Sequence, residues 1–198
     1  MKQEDIVKKY IEKNKGILKT NELKKVGIDN ITLTRLVKKG IIERVARGLY
    51  IDINNFEDSY YIFQYQCPKA IFSHETALYF HDLTDRTPIK IMITIPSGYN
   101  TKFIKNNNYE FSYLKKELYE LGKAKVKTTY GNEVYCYNVE RTICDLIRNK
   151  EKSESYQFTD AMQRYAKLKN KDIVKLYSYA EKFNIKEEVK KYMEVLIW

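Results

Sequence analysis

The chain has 198 residues, 43% of them hydrophobic, which allows one medium domain or two small ones with a packed core and excludes wholesale disorder. Lys and Arg number 36 against 26 Asp and Glu, a net charge of +10 that favours a polyanionic or acidic partner. No apolar run approaches the roughly 18 residues of a membrane span, and the N-terminus MKQEDIVKKY is charged where a secretory signal needs its apolar run, so a cytoplasmic protein is expected. Cys67, Cys136 and Cys144 form no C-x-x-C pair, which argues for buried, inert thiols and against a disulfide framework or zinc ribbon.

The charge is unevenly placed. Residues 1–53 carry 13 Lys and Arg against 7 Asp and Glu, a net of +6, leaving +4 for the other 145 residues. The polar turn Asp52-Ile53-Asn54-Asn55 separates two differently patterned regions, which puts a domain boundary near Asn54.

In the first region Ile6, Val7, Tyr10 and Ile11 recur at helical spacing, with Gly16 as a stop. Thr20 is a cap for a short second helix carrying Leu23 and Val26, which Gly27 ends. A third helix is predicted from Asn30 to Lys39, stopped by Gly40. Two short strands follow, Ile41 to Val45 and Leu49 to Ile51, joined across Ala46-Arg47-Gly48. This order makes a winged helix-turn-helix at residues 1–53.

Residues 54–198 read as an α+β domain with a small mixed sheet and a helical C-terminus. A helix is predicted over 56–66, ended by Cys67-Pro68, and another from a Ser73 cap through His81. Ile89 to Ile95 is nearly continuously apolar and predicts a central strand buried on both faces. Further strands are expected at 111–115, 124–129 and 134–137, the last two across a Gly131-Asn132 turn, and the asparagine run at 106–108 signals a loop. Asn138 caps a helix through Arg148, and 156–168, 171–183 and 186–197 carry apolar residues at three- and four-residue spacing.

On a helical wheel, Leu33, Leu36 and Val37 form the buried stripe of the third helix. The opposite face presents Ile31, Arg35 and Lys38, flanked by Thr32, Thr34 and Lys39, a surface suited to the major groove of double-stranded DNA. Arg bonds guanine bidentately, Thr bonds base edges or phosphates, and an exposed Ile meets a thymine methyl. Lys38, Lys39, Arg44 and Arg47 suit phosphates, and Arg47 at the hairpin tip also suits a minor groove. The competing reading is a solvated basic face or a protein-docking surface. Against it stands the scarcity of arginine: of seven in the chain, three fall between 35 and 47, whereas AT-rich coding, which the 18 Tyr suggest, supplies lysine.

KKGIIERVARGLY (38–50), IFSHETALYFHDL (71–83), a strand ending ITIP (93–96) and VYCYNVERTICDLIR (134–148), in this order, resemble the AbiE-type (AbiEi) antitoxins over nearly the full length. Arg47, Gly48 and Tyr50 match the wing motif; Ser73, His74, Glu75, Ala77 and Leu78 match the second; Glu140, Arg141, Thr142 and Asp145 match the third. The resemblance implies a bacterial type IV antitoxin of an abortive-infection, phage-resistance system, whose N-terminal winged helix represses its own operon at inverted repeats in the promoter. It also implies a C-terminal domain needed for antitoxicity, opposing a neighbouring nucleotidyltransferase-like toxin without a stable complex. For the second and third motifs it transfers membership and no chemical role. The alternative is an adaptor that binds and neutralises a toxin directly through its C-terminal domain.

An enzyme is not expected. No two of the 26 acidic residues stand two positions apart, so the D-x-D arrangement of metal-dependent phosphoryl transfer is absent. The triplet Glu22-Leu23-Lys24 falls inside the helix-turn-helix, which is no nuclease core, and there is no P-loop or dinucleotide fingerprint. This counts against a metal-dependent hydrolase. His74 and His81, seven apart beside Glu75 and Asp82, read as cap, core or interface histidines or as a metal or acid-base site lacking further ligands. Arg141 and Asp145 read as a helical ion pair with Glu140 on the helix dipole, or, beside Thr142, as a functional surface. Tyr60, Tyr61, Phe63, Tyr65, Tyr177 and Tyr179 suit core packing, or base stacking and interfaces. No catalytic residue, metal or cofactor is assigned, and no membrane partner.

Overall fold

A computed structural model describes residues 3–102, 104, 108–152 and 154–196, so that Asn106, Asn107 and the last two positions lie outside the described residues. The chain divides into two compact units, one ending at Pro68 and the other beginning at Lys69.

In the first unit α1 (Gln3–Lys13) buries Val7 and leans Ile6, Tyr10 and Ile11 on the same core. A strand absent from the sequence reading, β1 (Ile17–Lys19), leads into α2 (Thr20–Lys25). Thr20 does not cap α2: it is the first helical residue, Lys19 takes the cap position, and the buried Thr20 hydroxyl has no hydrogen-bond partner among the described residues. α3 (Asn30–Lys38) starts on Asp29, whose carboxylate accepts from the Thr32 amide at 2.7 Å. β2 (Ile42–Ala46) and β3 (Leu49–Asp52) form the wing, which turns at Gly48 with φ +80°, a left-handed conformation that favours glycine. The sheet order β1-β3-β2 is antiparallel throughout.

The unit does not end near Asn54. α4 (Ser59–Gln66), capped by the Asp58 carboxylate on the Tyr61 amide, buries Ile62 with Ile17 of β1 and Leu49 of β3. The Tyr65 hydroxyl donates to the Gly48 carbonyl at 3.2 Å. The exposed turn at 53–55 thus separates elements that still share one core.

The second unit carries a mixed sheet of β4 (Ile71–Phe72), β5 (Ile91–Pro96), β6 (Tyr109–Leu114), β7 (Lys123–Lys127) and β8 (Glu133–Tyr137) in the order β6-β5-β4-β8-β7. β5 runs parallel to β6 and antiparallel to β4, and β4 runs parallel to β8. The two-residue β4, not β5, is the middle strand. Burial holds for Ile93 to Ile95 alone, and Ile89, ahead of the first paired residue, is 96% exposed.

α5 (His74–Phe80), α7 (Val139–Arg148), α8 (Ser155–Lys167), α9 (Ile173–Lys182) and α10 (Lys186–Leu196) share a core that includes Leu78, Ile143, Cys144, Met162, Leu176 and Val189. Asn138 caps α7 by accepting from the Arg141 amide at 3.0 Å. The short α6 (Lys116–Glu120) was not anticipated from sequence; its Tyr119 packs on Ile71 and Tyr137. All three cysteines are buried, and burial raises the Cys136 thiol and pushes Cys144 up to about 12, so thiolate formation is disfavoured there. No helix among the described residues is long and apolar enough to cross a membrane.

If α4 completes the first unit, Ile62→Ala should lower the unfolding free energy by about 2–5 kcal/mol, the usual scale for emptying a buried isoleucine site. Urea denaturation of the full chain, followed by circular dichroism, reads this directly.

Candidate nucleic-acid interface

The orientation of α3 follows from what it buries. Leu33 and Leu36 enter the core with Val7, Leu18, Leu23, Ile28 and Ile42, and Thr32 is buried beside them. The Thr32 hydroxyl donates to Oε1 of Gln3, whose amide nitrogen in turn donates to the Gly27 carbonyl at 3.1 Å. Thr32 is therefore removed from the solvent face on which the wheel put it, and Val37, expected inside, is partly exposed. The buried arc is turned by roughly 40° toward Thr32 relative to the expected one, at 100° per residue. A buried hydroxyl is tolerated here because it is paired.

The outward stripe is Ile31, Thr34, Arg35 and Lys38. Ile31 is 79% exposed, unusual for an apolar side chain on a helix beside a well-packed core. Thr34 directs its hydroxyl back to the Asn30 carbonyl at 2.9 Å. Lys39 sits at the edge of the face, its ammonium 2.7 Å from Oε1 of Glu4 on α1, and Arg35 Nη2 stands 3.5 Å from the same oxygen. These cations, Lys39 first, hold the Glu4 carboxyl below the ordinary carboxylate range. On the wing Arg44 is exposed, its Nε donating to the Ala46 carbonyl at 3.4 Å, and Arg47 is exposed at the turn. Lys38, Arg44 and Arg47 have no ion pair to an acidic side chain among the described residues. Of the eight expected positions the structure brings seven to the surface of α3 and the wing, and buries Thr32. Sequence reasoning missed Gln3 and Glu4, because a contact between positions some thirty residues apart leaves no periodic signal.

In the second unit the Glu140, Arg141 and Asp145 group is not a surface. All three are buried, Arg141 completely. Its Nε donates to Asp145 Oδ2 at 2.9 Å, and Nη1 donates to the Leu118 and Leu121 carbonyls at 2.6 and 2.8 Å. The guanidinium is sandwiched between the rings of Tyr137 and Phe183, 4.0 and 4.3 Å from their centroids. Glu140 accepts from the Asp172 amide at 3.1 Å, fixing the start of α9. These contacts make the motif a structural staple.

The S-H-E-T-A segment is used similarly. Ser73 Oγ makes no cap to α5; it accepts from the Thr94 hydroxyl at 2.9 Å and lies 3.0 Å from Nδ1 of His74. Thr76 Oγ1 accepts from the Met92 amide at 2.8 Å. His81 Nε2 donates to the Tyr137 carbonyl at 2.6 Å. The two histidines thus stand at opposite ends of α5 with separate partners. Among the described residues no three His, Cys, Asp or Glu side chains gather in a way that could hold a metal ion. Besides Glu22-Leu23-Lys24, a second acidic-x-Lys triplet, Glu188-Val189-Lys190, lies on α10 with its charged members exposed. Of the aromatics, Phe63 is buried, Tyr61 and Tyr65 pack on the wing cluster, and Tyr177 and Tyr179 pack on the core of the second unit, which favours the packing role.

Three helices and a β-wing, with a basic outward stripe on the third helix, define the first unit as a winged helix of the kind found in transcriptional regulators, here followed by an α+β unit. Residues 5–51 match the family described as the transcriptional regulator AbiEi antitoxin. The match includes the wing motif; the other two motifs lie beyond it. The fold is similar to that of the RV2827C protein from Mycobacterium tuberculosis, with a TM-score of 0.64 at 10% identity over 90% of this chain and 71% of that chain. No curated protein matches the sequence.

Two outcomes follow from the staples. Arg141→Ala leaves the buried Asp145 with only its longer contact to Arg148 at 3.4 Å, so it should cost about 3–5 kcal/mol of unfolding free energy in urea denaturation. Burial lowers the pKa of both His74 and His81, so the unfolded chain binds protons near pH 6.5 that the folded chain refuses. Their contribution is present above that pH and is lost as pH falls through it; the urea midpoint should drop between pH 7 and roughly 5.5, and less steeply in His74→Gln and His81→Gln.

Proposed function

We propose that the chain is a cytoplasmic, non-enzymatic antitoxin of a bacterial type IV toxin-antitoxin system acting in abortive infection, and that it represses its own operon. The observation that carries this reading is the exposed stripe Ile31, Thr34, Arg35 and Lys38 on α3, inside the segment that matches AbiEi regulators. α3 enters the major groove of the promoter DNA. Arg35 bonds guanine bidentately and Ile31 meets a thymine methyl. Lys38 takes a phosphate, and Arg44 and Arg47 on the wing grip the flanking backbone or minor groove. Two copies on inverted repeats occlude the promoter, since a symmetric pair of half-sites fits two identical modules.

The resemblance of the second and third sequence motifs supports a nucleotidyltransferase-like toxin as the functional counterpart, opposed without a stable complex.

Arg35→Ala should weaken binding to a duplex from upstream of the reading frame by about 1–3 kcal/mol and relax specificity at one base position. Adding Lys38→Ala should lower affinity further and make the log-log salt dependence shallower by about 0.9 for each phosphate that is no longer neutralised. Both side chains are exposed, so thermal stability should stay within about 0.5 kcal/mol of wild type. Unchanged affinity of the double variant would remove α3 from the groove.

A further inference from the structure

The amino end of α1 is laid along the DNA-facing helix. Gln3 holds Thr32 near the start of α3, and Glu4 reaches Lys39 at its end and Arg35 between them. A carboxylate set among the cations of a surface meant for a polyanion repels that polyanion, and it is not required by the core, because Glu4 is only half-buried and bonds no backbone group of α3. Its geometry is selective. Glu4 stands 3.5 Å from Arg35 Nη2, which carries two N–H groups, so a second Nη2 N–H together with its neighbour on one edge of the fork stays open to the two acceptors of a guanine edge, whereas Lys39, a point charge, is occupied at 2.7 Å.

We propose that Glu4 is a specificity-determining residue of this interface. The inference rests on the DNA-binding reading and adds to it a role for an acidic side chain. On a duplex without the operator sequence, binding comes almost entirely from phosphate contacts, and each phosphate that takes Lys39 or Arg35 must displace the carboxylate and leave its charge facing the DNA. On the operator the pair stays in place, since Glu4 braces the guanidinium while its remaining N–H groups bond the base. The carboxylate therefore penalises non-specific complexes more than the specific one, the logic of discrimination by repulsion.

The test uses the full chain in fluorescence anisotropy with two probes, a duplex from immediately upstream of its reading frame and a scrambled duplex of equal composition. Glu4→Gln should bind the scrambled duplex about three- to tenfold more tightly, with a salt dependence steeper by about 0.9 for the one further phosphate neutralised, and should change binding to the upstream duplex by less than about twofold. The tighter binding to the scrambled duplex should vanish when Glu4→Gln is combined with Arg35→Ala and Lys39→Ala. An equal rise in affinity on both probes, no rise on either, or a rise that persists without Arg35 and Lys39 overturns the proposal. If Arg35→Ala and Lys38→Ala abolish binding to the upstream duplex while Glu4→Gln leaves the ratio of the two affinities unaltered, the role of Glu4 falls and the DNA-binding reading stands. Failure of the wild-type chain to prefer the upstream duplex rejects that reading itself.

Discussion

A nine-residue helix has too few hydrogen bonds to persist alone in water, so α3 exists because Leu33 and Leu36 are buried. This one packing constraint fixes the rest of the interface. Once those two side chains point inward, Ile31, Thr34, Arg35 and Lys38 have no direction left but outward, and the rotation is locked by the paired burial of Thr32. The wing is carried by the same core: Ile42 anchors β2 within it, and β3 pairs with both β1 and β2, so helix and hairpin present their arginines from one rigid support.

The second unit depends on a different node. Tyr137 ends β8 with its ring beneath Arg141, its carbonyl receiving His81 and its hydroxyl donating to the Tyr119 carbonyl at 3.0 Å. Two sequence motifs some sixty residues apart thus meet at one residue. Gly122 belongs to the same node: with φ +79°, a Cβ there would stand 2.5 Å from that of Arg141, so the chain passes the stem of this side chain without strain only as glycine. A fully buried arginine demands such surroundings, since its charge is tolerable only with a carboxylate, carbonyls and aromatic faces around it. The motif residues that looked most chemical are therefore those the fold itself consumes.

What the sequence disclosed and what it hid divide along physical lines. Helices with strong apolar periodicity and a side-chain cap, such as α7 on Asn138, were legible because both signals are local. β1 was not, because three residues carry no period and its pairing with β3 is a tertiary event. The end of the first unit is hard to see in the sequence because an exposed turn resembles a boundary, while the burial of Ile62 against Ile17 and Leu49 arises only on folding. For the interface, residue types and their clustering were legible, and the arc itself was not: a helical wheel treats Thr32 as polar and hence outward, and its burial depends on partners such as the distant Gln3 side chain.

The arginines argue best for where the chain turns toward a partner. In the second unit each of the four is committed within the protein: Arg86 to Glu154 at 2.8 Å, Arg141 and Arg148 to Asp145 at 2.9 and 3.4 Å, and Arg164 to Asp160 at 2.9 Å. In the first unit Arg44 and Arg47 pair with no carboxylate among the described residues, and Arg35 shares a single oxygen of Glu4 with Lys39. A composition that favours lysine explains the total of +10, but it does not explain why the scarcer cation is neutralised in one unit and presented to solvent in the other. Fork-shaped donors, unpaired on the wing and sharing a single carboxylate oxygen on the helix, are what a phosphate backbone and a guanine edge require.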